Sequence, residues 1–372
     1  MALALRMAHG KAAPEVLARK ADAPRSKAGK KSTQATVGGA VAGSAAIAHF
    51  GMSATTIAIL IFISVLAGAS SPASAATGTN VRTFGAKGDG VTDDTVVLQN
   101  AANSNQVLWF PKTSAFYKTT RVVTLRNSVF SNGAEIRILQ DATIGKSVFR
   151  VVQNAAPLTI DGFILNGLYT TGTNPNEYSM GIELRSAVDI TISNNTIKNN
   201  FGDNIYVGFT GISPSKNITI ANNTLSNPYR NNVTMIHSDG VTIKNNMITK
   251  TFDYVHSIDL EPNPDGISNN KNVTIDSNNI TAPHWCIAIS PNNTVANTGL
   301  RVTNNIASGP ATLATMYGGT RGVSSPYFKS NQFTNTSLTA YPGYLYMFYL
   351  DHATGVTLDS NIDRTKPGAG YR

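Results

Sequence analysis

Ile190-Thr-Ile-Ser-Asn-Asn195 returns along the chain as Ile218-Thr-Ile-Ala-Asn-Asn223, Val241-Thr-Ile-Lys-Asn-Asn246 and Val273-Thr-Ile-Asp-Ser-Asn-Asn279. Worn copies follow at Leu300-Arg-Val-Thr-Asn-Asn305 and Val356-Thr-Leu-Asp-Ser-Asn361. Apolar and polar residues alternate strictly in each copy, which is the period of a strand with one buried face. Each copy then ends on asparagine, which tolerates the left-handed backbone of a sharp bend. The copies stand about 23–33 residues apart, a spacing typical of stacked supersecondary units. One unit cannot bury its apolar face alone, whereas a stack of them makes a continuous core.

Each unit carries an earlier strand whose alternation assigns its facing. Ile182/Leu184, Ile205/Val207, Val233/Met235, Ile258/Leu260 and Ile287/Ile289 point inward, and Glu183, Tyr206, Thr234, Asp259 and Ala288 point out. A strand pair per coil with an Asn-Asn bend implies an all-β fold, a single-stranded right-handed parallel β-helix. The asparagines are then expected to stack in a ladder inside the bends. An antiparallel sandwich would show Asn-Gly hairpin signals between strands, and these are scarce. The chain's 372 residues suit one solenoid, which grows by adding coils.

The front of the chain differs. Residues 1–45 lack an apolar period and read as a disordered basic leader. Eight basic residues there (Arg6, Lys11, Arg19, Lys20, Arg25, Lys27, Lys30, Lys31) stand against Glu15 and Asp22, a net +6 of the chain's +9. The remaining +3 gives no reason to expect a nucleic-acid partner. Residues 46–75 contain the apolar run Ile57–Leu66 before Ala73-x-Ala75, the form of a secretory signal cleaved after Ala75. The alternative is an uncleaved membrane anchor. Either places the solenoid outside the cytoplasm, secreted or in the cell envelope, with any membrane contact limited to this segment. Residues 76–125 read as an N-terminal cap and first coil, and 126–372 as the parallel β-helix. Cys286 is the only cysteine, so no intrachain disulfide forms, and it reads as a half-buried structural thiol.

Residues 81–95 read Val-Arg-Thr-Phe-Gly-Ala-Lys-Gly-Asp-Gly-Val-Thr-Asp-Asp-Thr, followed by Val107-Leu-Trp-Phe-Pro111 and Tyr117. In physical terms the glycines permit tight turns, and Thr92-Asp-Asp94 caps a helix over Thr95–Ala102. That helix would cover the open end of the solenoid. Asp89, Asp93 and Asp94 lack the alternating ligand pattern of a calcium loop, so capping is expected of them. The stretch resembles the amino-terminal signature of the pectate-lyase-like β-helix superfamily, which includes polygalacturonase-type proteins. The resemblance covers nearly everything after Ala76. It implies action on acidic or complex polysaccharides, by lyases, hydrolases, epimerases or phage-tail depolymerases, and does not choose among them. The Gly-His-Gly and Arg-Ile-Lys motifs of polygalacturonases are absent from the chain, so that activity is not expected.

Chemistry-bearing residues gather between residues 200 and 290. Coils about 4.8 Å apart turn matching positions into a stripe along one open face. Asp259, Asp203, Arg230, His256 and Glu261 are the catalytic candidates. Ile258-Asp-Leu-Glu-Pro-Asn263, with Asp203 and Arg230 upstream, resembles a segment of polysaccharide-active members of the superfamily. Tyr206, Tyr229, Tyr254, Trp285, His284, Glu183 and Arg185 are the expected substrate contacts, aromatics for sugar rings and charges for uronate groups.

Two mechanisms fit. In β-elimination, Arg230 or a bound Ca²⁺ would neutralise a uronate carboxylate while His256 or a carboxylate of raised pKa removes the neighbouring proton. In hydrolysis, two carboxyl groups such as Asp203 and Asp259 would flank the glycosidic oxygen. A lyase is expected first, a hydrolase second, and a non-catalytic carbohydrate-binding surface protein is the reading outside enzymes. Calcium is the one cofactor these routes call for, and no protein metal ligands are assigned.

Overall fold

The computed structural model describes residues 78–138, 145–170, 176–250, 256–282, 284–290, 295–309, 312–316, 322–336 and 347–364. The expected leader over 1–45, the expected signal or anchor segment over 46–75 and Tyr254 lie outside these residues. Every strand in the solenoid pairs in parallel with its counterparts on the neighbouring coils, in three sheets of thirteen, nine and ten strands. A coil therefore has three strands and not the expected pair. Ile182–Arg185, Val188–Ser193 and Thr196–Lys198 make one such coil. The third strand escapes sequence inspection because it is three residues long and turns only one side chain, Ile197, inward.

The core is built of stacked columns. Ile192, Ile220, Ile243, Ile275 and Val302 align coil upon coil, and all are buried. The inward residues expected on the earlier strands are buried throughout. Cys286 is fully buried, not half-buried, and burial pushes its thiol up to about 12.

The bends divide their labour between two adjacent residues. Asn194, Asn222, Asn245, Ser277, Asn304, Ser330 and Ser360 adopt the left-handed conformation, with φ between 53° and 58°. The following residues, Asn195, Asn223, Asn246, Asn278, Asn305, Asn331 and Asn361, form the ladder. Asn246 Nδ2 donates to Asn278 Oδ1 at 2.9 Å, and Asn246 Oδ1 accepts from the Asn223 backbone at 2.8 Å. Because each amide also reaches a carbonyl of the preceding coil, as Asn246 does to Ile220, the bend's buried polar groups are satisfied.

The capping helix spans Thr95–Ala102 and buries Leu98, Ala101 and Ala102 in the core. Its cap is Asp93, whose Oδ1 accepts from the Thr95 backbone at 3.0 Å, while Asp94 holds the Lys87 and Gly88 backbones instead. Asp89 is likewise occupied by Val91 and Thr92. Each of the three carboxylates is used by its own turn.

Candidate functional site

The nine-stranded sheet positions the site. Its register places Glu183, Tyr206, Thr234, Asp259, Ala288 and Thr315 in one outward column. Three residues before each of the middle members stands a second column on the preceding turns: Asp203, Asn231, His256 and Trp285. Alternation assigned the side of the sheet correctly, but the face is not open along its length. Glu183, Thr234 and Asp259 are buried, Asp259 at 3 % exposure. Alternation assigns a side of the sheet and carries no information about exposure on that side.

Four of the catalytic candidates come together around Arg230. Its Nη2 donates to Glu261 Oε2 at 2.8 Å, its Nη1 lies 3.4 Å from Glu177 Oε2, and its Nε lies 3.9 Å from Asp203 Oδ1. Asn231 ties the buried pair together. Its backbone N–H donates to Asp203 Oδ1 at 2.9 Å, and its Nδ2 donates to Thr234 Oγ1 at 3.0 Å and, weakly, to Asp259 Oδ2 at 3.4 Å. Asp203 Oδ2 and Asp259 Oδ1 are buried without a hydrogen-bond partner among the described residues.

Burial lifts the Asp259 carboxyl well above the usual range, and the Glu261 charge lifts it further against the pull of Arg230. Burial also raises Asp203, against Arg230 and the Asn231 N–H. Glu261 is raised by burial too, against the pull of the Arg230 guanidinium it bonds, and its side chain is 43 % exposed. The charge of Asp203, acting against burial, raises the pKa of Arg230. The cluster thus sets a buried carboxyl of raised pKa beside a partly exposed carboxylate held by Arg230.

His256 is adjacent but does not fit the role of base. Burial, with the charges of His284, Lys250 and Arg230, lowers it to about 3. Its backbone N–H donates to Asn231 Oδ1 at 2.8 Å, and its ring stacks on Trp285 at 4.8 Å. Trp285 in turn stacks on His284 at 4.0 Å, so three rings form a half-buried platform one coil beyond Asp259. Tyr229 packs edge-on against Tyr169 and Tyr169 against Phe201, an aromatic cluster of its own. Glu183 is not free for substrate. It is sequestered by Ser147, Arg150 and Arg185, whose combined pull outweighs burial and leaves its pKa below the usual value. Tyr206 stands between Glu183 and Thr234, and burial raises its phenol to about 12.

Three residues of the site were not singled out in the sequence. Glu177 arrives from a loop far from the repeated phrases. Asn231 precedes Asn232 and so imitates the bend motif, although Asn232 instead bonds to Asn204 at 2.8 Å. Lys250 carries a readable signal, because earlier coils have Asn199 and Asn227 at the matching position. Its buried ammonium donates to the carbonyls of Pro228, Tyr229 and Arg230, and burial lowers it to about 8. It therefore holds the turn that presents Arg230. Among the described residues no group of three or more His, Cys, Asp or Glu side chains is arranged to hold a metal ion.

Residues 153–337 match the family model described as a right-handed β-helix region, which gives the solenoid its hand. No curated protein sequence matches the chain. Among solved structures it is similar to the Agl-KA catalytic domain, at 14% identity and a TM-score of 0.61, over 78% of this chain and 58% of that one. It is also similar to an N-terminal fragment of gene product 12 of bacteriophage Phi29, at 16% identity and a TM-score of 0.54, over 83% and 59%. A third is the tailspike protein gp49 of Acinetobacter baumannii bacteriophage Fri1, a capsular polysaccharide depolymerase, at 14% identity and a TM-score of 0.52, over 78% and 63%. The chain spans about three fifths of the length of each, and the likeness is one of fold.

Proposed function

We propose that this right-handed β-helix protein is a polysaccharide-cleaving enzyme, and that it cleaves by hydrolysis. The observation that carries this reading is Asp259: a carboxyl raised by burial, with Oδ1 unpartnered, one outward position from the partly exposed Glu261. In this reading Asp259 acts as the acid toward the leaving glycosidic oxygen and Glu261 as the base toward water. Arg230 fixes Glu261, and Asn231 fixes Asp203 and Asp259. The Trp285 platform gives a sugar ring an apolar face one coil away. A fold shared with a capsular polysaccharide depolymerase agrees with such a substrate.

β-Elimination is supported less well. It needs a free cation for the uronate carboxylate, and the Arg230 guanidinium already faces Glu261, Glu177 and Asp203. It also needs a strong base, and His256 is a weak one. Export through residues 46–75 belongs to the same proposal; amino-terminal sequencing of the mature protein supports it with a start at Ala76 and contradicts cleavage there with any other.

Incubation with pectate, alginate, gellan-like and capsular polysaccharides tests the reaction type. Reducing ends without an ultraviolet-absorbing unsaturated product establish hydrolysis. The unsaturated product establishes elimination, and EDTA sensitivity would bring calcium into the reaction. Binding with no cleavage on the whole panel makes the protein a carbohydrate-binding module.

A further inference from the structure

Three coils toward the amino terminus from Asp259, the same column carries a second charged group with opposite sign. Glu183 is buried, at 1 % side-chain exposure, and each of its oxygens is taken by a different arginine. Arg150 Nε donates to Oε2 at 2.7 Å, and Arg185 Nε donates to Oε1 at 2.5 Å. Ser147 Oγ also donates to Oε2 at 2.7 Å. Both arginines spend only their Nε on this carboxylate. Their terminal nitrogens have no partner among the described residues, and the side chains are 29 % and 40 % exposed.

One carboxylate needs one guanidinium for charge balance. Two leave the group with a net positive charge, and holding each by Nε aims the flat, doubly donating edge away from Glu183. Buried pairing of this kind costs desolvation on both sides, so an excess cation at the surface is not explained by stability. Tyr206 completes the group. Its ring fills the space beside Gly208, where a Cβ would lie 2.3 Å from the ring, and Gly208 is the strand neighbour of Arg185. A phenol raised to about 12 stays protonated and can donate.

We propose that Arg150, Arg185 and Tyr206 form a binding site for an oxyanion carried by the sugar chain, a carboxylate or a sulfate ester. The site rests on the reading of this face as a polysaccharide path. It deepens that reading by placing the charged sugar about 14 Å from the reacting one, three coils at about 4.8 Å each. The substrate is then an acidic polysaccharide with a charged residue a few sugars from the cleaved bond.

Affinity electrophoresis of the full chain through gels containing polygalacturonate, dextran sulfate or plain dextran tests this without turnover. Retardation is compared among wild type, Arg150→Gln, Arg185→Gln and Lys329→Gln, so that the basic residues of the leader are common to all. Each arginine variant is expected to weaken binding to at least one anionic polymer about tenfold, the loss of one charge-assisted contact. Lys329→Gln, which removes a positive charge from another sheet, should leave binding unchanged. The polymer that shows the loss tells carboxylate from sulfate. Should Arg185→Gln lower the unfolding temperature, Arg185→Lys keeps the charge beside Glu183 but loses the fork, and weaker binding is expected of it too. Equal retardation of arginine variants and wild type on both polyanions, in folded protein, overturns the site. Failure of the wild type to cleave any polysaccharide overturns the hydrolysis reading and not this one.

Discussion

Arg230 donates to Glu261 at 2.8 Å from the adjacent coil, and the contact holds an accessible carboxylate beside the buried Asp259. The same guanidinium lies 3.4 Å from Glu177 and 3.9 Å from Asp203, so one cation organises acidic groups from separate turns. Removing it should make those groups harder to ionise. Arg230→Gln is expected to move the acid limb of the pH–activity profile upward by about one unit or more. A lower rate with an unmoved limb would show that Arg230 contributes only packing.

The pH dependence of stability should carry two opposite slopes. Asp203 and Asp259 are raised, so the folded chain keeps protons that the unfolded chain releases. Their contribution is present below the ordinary carboxylate pKa and is lost as pH rises through the raised values. His256 is lowered from 6.5 to about 3, so its contribution is present above 6.5 and is lost as pH falls toward 3. Unfolding temperature against pH should therefore fall less on the alkaline side in Asp259→Asn, and less on the acid side in His256→Gln. His256→Gln should also leave the limbs of the activity profile in place; a lost limb would make the histidine the base after all.

The two residues of each bend should respond differently to substitution. Asn246→Ala strips the ladder and leaves the Asn223 N–H and the Ile220 carbonyl unsatisfied, at a cost of about 2–4 kcal/mol. Asn245→Gly, one residue earlier at φ 56°, supplies a residue at ease in that conformation and should change stability by less than about 1 kcal/mol. Urea unfolding of the two variants checks the contrast, which equal losses would contradict.

Lys250 should behave as a positioning residue. Lys250→Met keeps the stem's bulk but leaves the carbonyls of Pro228, Tyr229 and Arg230 without their donor. A stability loss of about 1–3 kcal/mol is expected. The acid limb should also shift as in Arg230→Gln, because the turn no longer presents the guanidinium. A stability loss with an unshifted limb would assign Lys250 to packing alone.

The column of the site was legible because strict alternation puts Ile258 and Leu260 in the core and leaves Asp259 on the other side. The ladder was legible because asparagine repeats where the chain must bend. The burial of Asp259 was not, since alternation assigns a side of the sheet and not its exposure. Glu183 shows the same gap from the other direction: alternation turned it outward correctly, and Arg185 on its own strand and Arg150 on the neighbouring one then sequestered it. Glu177 and the third strand of each coil were hidden for opposite reasons, one lying far from any repeat and the other being absorbed into the end of one.

The role of Asp259 is tested most directly by comparing wild type with Asp259→Asn on whichever polysaccharide the panel identifies, measuring reducing-end release and binding together. Hydrolysis with Asp259 as the acid requires cleavage to fall about 10²–10⁴-fold while binding is kept. Cleavage within a few-fold of wild type in the folded variant would contradict it.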